Sequence, residues 1–355
     1  MAEARTEDGL TPHRQQYHLE NYTVDFHDQQ SKTLVVTFEY AGKPDYRPNM
    51  DRLGWGVDWL TRQGHSVLAV KPLRTDWYRK KDLHHFLTGL RAGGFFDRFE
   101  NVVFYGASMG GYAALAFSSL APGCTVLALS PQVTLNPEMT AWDARFREGK
   151  QEDWGGQFVS GSDCSHAGRV FVVYDPMNKP DRIHAESVVG DNVVHLKFPA
   201  GGHLVASQLS QLRLLGAVFR SALDGSLSTL SFAKIARHRK SLISYWVILA
   251  KHARSYKVAA ACMDRARRIR QDEFSVAFYD TYLAHKWADW PAAIDLARAA
   301  LRRKPRDAYL HTVLAESLRE VGSLTEAEQA CNAGLALFPT NARLQRALSS
   351  LRQAA

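Results

Sequence analysis

The stretch NVVFYGASMGGYAALAFSSL, residues 101–120, decides how the first two thirds of this chain are read. An apolar block ends at Tyr105, a Gly-Ala-Ser-Met-Gly-Gly turn comes next, and small residues at helical spacing carry the chain to Leu120. A short continuous apolar run bounded by glycine is the pattern of a strand buried on both faces. The turn therefore joins a buried strand to a helix, and it does so at Ser108. In such a turn the backbone at the serine is strained and small neighbours let strand and helix approach closely. The hydroxyl is lifted above the sheet, with the unpaired first amides of the helix just behind it.

Similar apolar runs recur outward from this stretch, at 33–38, 66–70, 125–129, 169–174 and 192–198. Amphipathic stretches at about 50–62, 82–92, 109–120 and 204–222 separate them. That alternation predicts an α/β fold with a mostly parallel sheet covered by helices. Residues 20–28, ENYTVDFHD, add a candidate antiparallel edge strand. Residues 131–168 break the rhythm with polar, Gly-rich and Trp-containing sequence. They are expected to form a short cap insertion over the carboxyl ends of the strands, where ligands of such sheets bind. Trp142, Phe146 and Trp154 are its candidate pocket residues, with packing of the loop as the alternative role.

A serine attacks poorly at its ordinary pKa. It needs a histidine to take its proton and a carboxylate to orient that histidine. His203, in the Gly-Gly-His after the last predicted strand, is the candidate base. Asp181 and Asp175, in YDPMNKPD between the preceding strand and that loop, are the candidate acids.

With Ser108, an aspartate and His203 in this order, residues 20–222 resemble the α/β-hydrolase fold, a three-layer sandwich with Ser108 at the nucleophile elbow. In that family the acid usually sits a few residues beyond its strand, so the resemblance implies Asp181, with Asp175 the runner-up. The lengthened DPMNKPD loop departs from the family pattern. His184 lies in the acid's own loop without flanking glycines and is read as a loop-packing or solvent-facing imidazole. The resemblance also implies an oxyanion hole made by the backbone amides of Met109 and of Glu39 or Tyr40, with Tyr40 preferred. The His-Gly pair that many relatives carry there is absent. The chemistry that the resemblance implies is acyl transfer through a covalent acyl-enzyme, with no cofactor.

Composition bounds the alternatives. A chain of 355 residues, 46% hydrophobic and 23% charged, is long enough for two domains and unlike a disordered polymer. No apolar run approaches bilayer-spanning length and no basic flank precedes an apolar core at the start, so the expected location is the cytoplasm. Cys124, Cys164, Cys262 and Cys331 are isolated from one another and read as structural. Cys164 with His166, and the pair His84 and His85, lack partners at metal-ligand spacing, so no metal is expected.

The net charge of +8 is uneven. Lys and Arg number 23 against 25 Asp and Glu in residues 1–225, and 21 against 11 in residues 226–355. After residues 223–229 the strands vanish and Ala, Leu and Arg take over with helical periodicity, which sets the expected boundary: a catalytic domain at 1–225 and an all-α domain at 226–355. Residues 274–307 and 308–341 align without gaps at a period of 34, superposing Ala293 on Ala327, Leu301 on Leu335 and Pro305 on Pro339. This period resembles the tetratricopeptide (TPR) repeat, stacked helical hairpins that bury their apolar faces on their neighbours. Residues 240–273 look like a degenerate copy, which either joins the stack or leans on the first domain through Trp246, Leu249 and Tyr256.

The sequence thus points to a serine hydrolase acting on a small-molecule or glycan acyl ester in an open cleft. An acyltransferase using the same triad and a catalytically silent scaffold are the alternatives. Trp55, Trp59, Trp77 and Tyr78 join the cap tryptophans as candidate rim aromatics, and the basic stretch at 78–85 is a candidate attractor of anionic substrates. The helical repeats are expected to hold a protein partner or a second copy of the chain, with Arg267, Arg268, Arg302 and Arg303 as candidate contacts for an acidic peptide. Nucleic-acid binding through 234–240 and 265–270 is disfavoured, because interleaved aromatics and recognition motifs are absent.

Overall fold

A computed structural model describes residues 4–6, 14–42, 51–270 and 273–354. The chain divides into two units, 1–239 and 240–355. In the first, nine strands among the described residues form one sheet: β1 (Ala4–Thr6), β2 (Arg14–His18), β3 (Tyr22–His27), β4 (Thr33–Phe38), β5 (Ser66–Pro72), β6 (Asn101–Ala107), β7 (Thr125–Leu129), β8 (Arg169–Tyr174) and β9 (Val193–Lys197). Their spatial order is β1-β2-β3-β5-β4-β6-β7-β8-β9. From β5 to β9 every neighbouring pair is parallel, and β1, β2 and β3 add antiparallel pairs.

Side-chain alternation splits the core into two layers. Leu34, Val36, Phe104 and Val172 face one side with Leu83, Tyr112 and Ala185; Val35, Val103, Phe171 and Val173 face the other with Leu60, Val205 and Phe219. Helices Lys81–Ala92, Met109–Ala116 and Lys179–Glu186 cover the first face. Helices Val57–Arg62, Val205–Gln211, Leu215–Leu223 and Thr229–Ala236 cover the second. Burial on both faces is why β4 to β8 read as unbroken apolar runs.

Three differences from the sequence reading have physical causes. The strand expected at the edge, β3, is interior, because β2 pairs along its other side. Its Asp25 is fully buried between the neighbouring strands, with Lys71 of β5 at 2.7 Å and Arg14 of β2 at 3.1 Å. The amphipathic stretch at 204–222 is two helices, broken where Arg213 adopts a left-handed φ of 58°. The unit boundary falls after Arg239 rather than after residue 225. Ser228 and Ser231 form a reciprocal capping box that starts helix Thr229–Ala236, whose Phe232 packs on Phe198 in the sheet's second layer. Arg239 belongs there too, donating from Nε to the carbonyl of Pro199 at 2.9 Å.

The second unit is a run of helical hairpins. The degenerate copy forms Ile243–His252 and Tyr256–Ile269; the two clear repeats form Phe274–Lys286 with Trp290–Arg303 and Ala308–Glu320 with Leu324–Leu337; Ala342–Ala354 comes last. Ala259, Ala293 and Ala327, equivalent positions in the three copies, are all fully buried, as close helix approach requires. The repeat is also chemical. The carbonyl of Pro305 accepts from His311 Nε2 and that of Pro339 from Gln345 Nε2, each at 2.9 Å. Trp246 packs within this unit's own core and donates to the carbonyl of Lys240, and Tyr256 meets Trp287 edge-on. Arg267 is tied to Asp264 and Asp280, which gives it a structural role.

The elbow helix rides directly on the sheet. A Cβ on Gly106 would lie 2.1 Å from the carbonyl oxygen of Gly110, and one on Gly110 would lie 2.2 Å from that of Phe38. Gly110→Ala is therefore expected to cost about 3 kcal/mol or more of stability in denaturant unfolding. Gly89→Ala, at an exposed helical position with nothing within 4 Å of the added carbon, is expected to gain about 0.5–1 kcal/mol.

Candidate active site

β6 runs into the elbow, and the close glycine contacts leave Ser108 with φ 54° and ψ −118°, a strained conformation for a side-chain-bearing residue. Its amide continues the sheet by donating to Leu129 at 2.8 Å. The hydroxyl projects above the carboxyl ends of the strands, 2.8 Å from His203 Nε2. Nδ1 of the same ring lies 2.8 Å from Asp181 Oδ2. Since the carboxylate accepts at Nδ1–H, Nε2 is left as the acceptor for the serine proton.

Each partner is held by its own loop. His203 comes after β9 on a turn in which Ala200 and Gly202 both have a φ of 60°. Asp175, at the end of β8, fastens that turn: it accepts from the amides of Ala200 at 3.0 Å, Gly202 at 2.7 Å and Met177 at 2.8 Å. Both of its oxygens are engaged with backbone, so the structure brings Asp181, and not Asp175, to His203. Asp181 lies not in a long loop, as the sequence suggests, but in the first turn of helix Lys179–Glu186. Pro180 sits beside it, and the helix dipole there favours a carboxylate.

Two residues of this site escape a reading of the sequence. Arg145, from the cap insertion, reaches Asp181 Oδ1 at 2.8 Å and also grips Asp143 at 2.8 Å. Burial opposes ionisation of Asp143, yet hydrogen bonds from His184 and Arg145 hold its carboxyl well below the usual carboxylate range. Gln132, fully buried just after β7, places Oε1 3.2 Å from the Ser108 hydroxyl as a second acceptor. The only local signals are the spacing Asp143-x-Arg145 and a Pro-Gln directly at a strand end. His184 is buried packing: it accepts from the Val133 amide at Nδ1 (3.3 Å) and donates from Nε2 to Asp143 at 3.2 Å.

The amide of Met109 is at the first position of helix Met109–Ala116, where no intrahelical carbonyl can reach it. Tyr40 lines the same cavity as Ser108 and His203, whereas Glu39 is turned away, its carboxylate on Arg52 and its carbonyl accepting from Tyr78 at 2.9 Å. This cavity measures about 730 Å³, with Trp55 and Phe146 in its wall. Of the cap aromatics only Phe146 lines it. Trp154 is buried against Tyr112, and Trp142 lies on His184. Trp77 and Tyr78 are likewise core residues.

Within the basic stretch at 78–85, Arg79 and Lys80 are tied to the cap insertion, while Lys81 and His85 are exposed. The Arg79 guanidinium donates to the carbonyls of Asp153, Gly155, Gln157 and Phe158 and to the Tyr112 hydroxyl, pinning the cap insertion. Lys80 pairs with Glu152. The cysteines stand apart from the site, and burial pushes the thiols of Cys124 and Cys164 up to about 12 and about 11.

No protein-family profile matches this chain, and no curated protein matches it. Solved structures do. The Arabidopsis OM64 TPR domain is 12% identical, covering 33% of this chain and 98% of that one at a TM-score of 0.31. MamA from Desulfovibrio magneticus RS-1 is 19% identical, covering 42% and 83% at a TM-score of 0.32. Another MamA structure is 16% identical, with 32% of this chain matched to 63% of that one at a TM-score of 0.29. Among the described residues, no helix is long and apolar enough to cross a membrane.

Arg145 joins the cap to the acid, which gives a direct test. Arg145→Met strands two buried carboxylates and is expected to lower unfolding free energy by about 3 kcal/mol. Adding Asp143→Asn is expected to recover part of that loss, because one of the stranded charges is then removed.

Proposed function

We propose that the first unit is a serine hydrolase of the α/β-hydrolase fold, with Ser108 as nucleophile, His203 as general base and Asp181 as the orienting acid. The observation that carries this reading is the unbroken chain Ser108 Oγ, His203 Nε2, His203 Nδ1, Asp181 Oδ2, with 2.8 Å at each link. The strand order supports it: the three side chains leave the carboxyl ends of β6, β8 and β9, in the chain order Ser, Asp, His that belongs to this fold.

In this mechanism Ser108 Oγ bonds to the acyl carbon as His203 Nε2 takes its proton. The carbonyl oxygen becomes an oxyanion facing the amides of Met109 and Tyr40. His203 then passes the proton to the departing alkoxide and the acyl-enzyme forms. Water enters, loses a proton to His203, and releases the acid and free Ser108. Asp181 orients the ring and stabilises the imidazolium while Arg145 fixes its other oxygen. An acyltransferase would differ only in replacing this water by another hydroxyl. A silent scaffold is disfavoured, because strain at Ser108 and an intact hydrogen-bonded chain serve no purpose in a domain that only binds.

The second unit is proposed as a TPR-like interaction surface, holding a protein partner or a second copy on the concave face that stacked hairpins create. Hydrolysis by the full chain of short 4-nitrophenyl esters tests the catalytic reading. Ser108→Ala and Asp181→Asn are each expected to lower kcat by about ten thousand-fold or more. Asp175→Asn should chiefly lower the melting temperature, since it unfastens the His203 turn. Loss of turnover confined to Asp175→Asn, with Asp181→Asn fully active, would overturn the assignment of the acid.

A further inference from the structure

A second cavity of about 420 Å³ adjoins the one at Ser108 and shares Trp55, Ser210 and Leu215 with it. Its aromatic wall is built tightly. Trp55 packs on Tyr105 at 4.5 Å between ring centroids, and Trp59 meets Phe219 edge-on. A Cβ on Gly216 would lie 2.7 Å from the Trp59 ring, so only glycine lets the backbone approach that indole so closely.

Its charged residues are Arg213 and Arg220, and among the described residues no Asp or Glu lines either cavity. Arg220 lies over Trp59, 5.8 Å from its ring, and one of its guanidinium nitrogens is 3.5 Å from Gln63 Oε1. Arg213 terminates helix Val205–Gln211 in the left-handed conformation that glycine ordinarily takes there. A long cationic side chain thus stands where glycine is ordinarily favoured, and it lines the cavity. Among the described residues no carboxylate pairs with either arginine. Asp58, next to Trp59, is taken by Arg62.

We propose that this second cavity is a subsite for an anionic group of the substrate, a carboxylate or a phosphate carried on a flat or apolar body. The anion sits between Arg213 and Arg220, and the body lies against Trp55 and Trp59. Guanidinium groups suit both anions through paired N–H donors, and indole faces suit a planar or sugar-like body. The subsite rests on the hydrolase reading in that its occupant is a part of the ester held at Ser108.

The test compares anionic esters with neutral isosteres, using the full chain. The pairs are mono-4-nitrophenyl glutarate against its methyl ester, 4-acetoxybenzoate against its methyl ester, and 4-acetoxyphenyl phosphate against 4-acetoxyanisole. The first places the anion on the acyl side, the other two on the leaving group, as carboxylate and as phosphate. In at least one pair kcat/KM is expected to favour the anion by about tenfold. The preference should shrink with added salt and collapse towards unity in Arg213→Gln/Arg220→Gln. Equal or better use of the neutral isostere in all three pairs, or a preference that survives in the double variant, overturns the subsite and leaves the hydrolase reading standing. If no ester is turned over and Ser108 takes up no fluorophosphonate, the hydrolase reading fails; whenever no ester is turned over, calorimetric titration with phenyl phosphate decides the subsite by itself. Binding lost in the double variant supports it, and no binding to the native chain overturns it.

Discussion

The close approach of one helix to one sheet governs the first unit. Gly106 meets the carbonyl of Gly110, and Gly110 meets that of Phe38, at separations no side chain could occupy. Between them the chain must reverse from strand to helix within a single residue, which leaves Ser108 with a strained positive φ of 54°. The same contact brings the start of the elbow helix beside the end of β4. A hydroxyl, a free helix-end amide and the backbone after β4 are therefore brought together.

What surrounds Ser108 divides into groups that fasten and groups that face. Asp175 fastens, committing its oxygens to the amides of the turn that carries His203. Asp181 faces, set by a short helix and held on its outer side by Arg145. The cap insertion is pinned by Arg79 and contributes Phe146 and Arg145 to the site.

Much of this is legible in the sequence because burial on both faces writes itself there as unbroken apolar runs, and β4 to β8 are found that way. The elbow is legible because only glycine fits at positions 106 and 110, two residues to either side of Ser108. The 34-residue period exposes the hairpins, and its alanines are buried as expected. What stays hidden is long-range pairing. Nothing local announces that Asp25 is neutralised from both neighbouring strands, so β3 looks like an edge. Nothing local announces that Arg145 lies against Asp181, since 36 residues separate them. The helix over 229–236 reads as part of the second unit because its partner, Phe198, lies far back in the chain.

The central claim is that Ser108 is a nucleophile activated by His203. Intact-mass and peptide analysis after treatment of the full chain with a fluorophosphonate measures this most directly, because the reagent phosphonylates activated serines without demanding a particular substrate. The account predicts one adduct per chain, located on the peptide containing Ser108, absent from Ser108→Ala and strongly slowed in His203→Ala. A native chain that takes up no adduct while a control serine hydrolase labels fully, or an adduct that persists in Ser108→Ala, would contradict it.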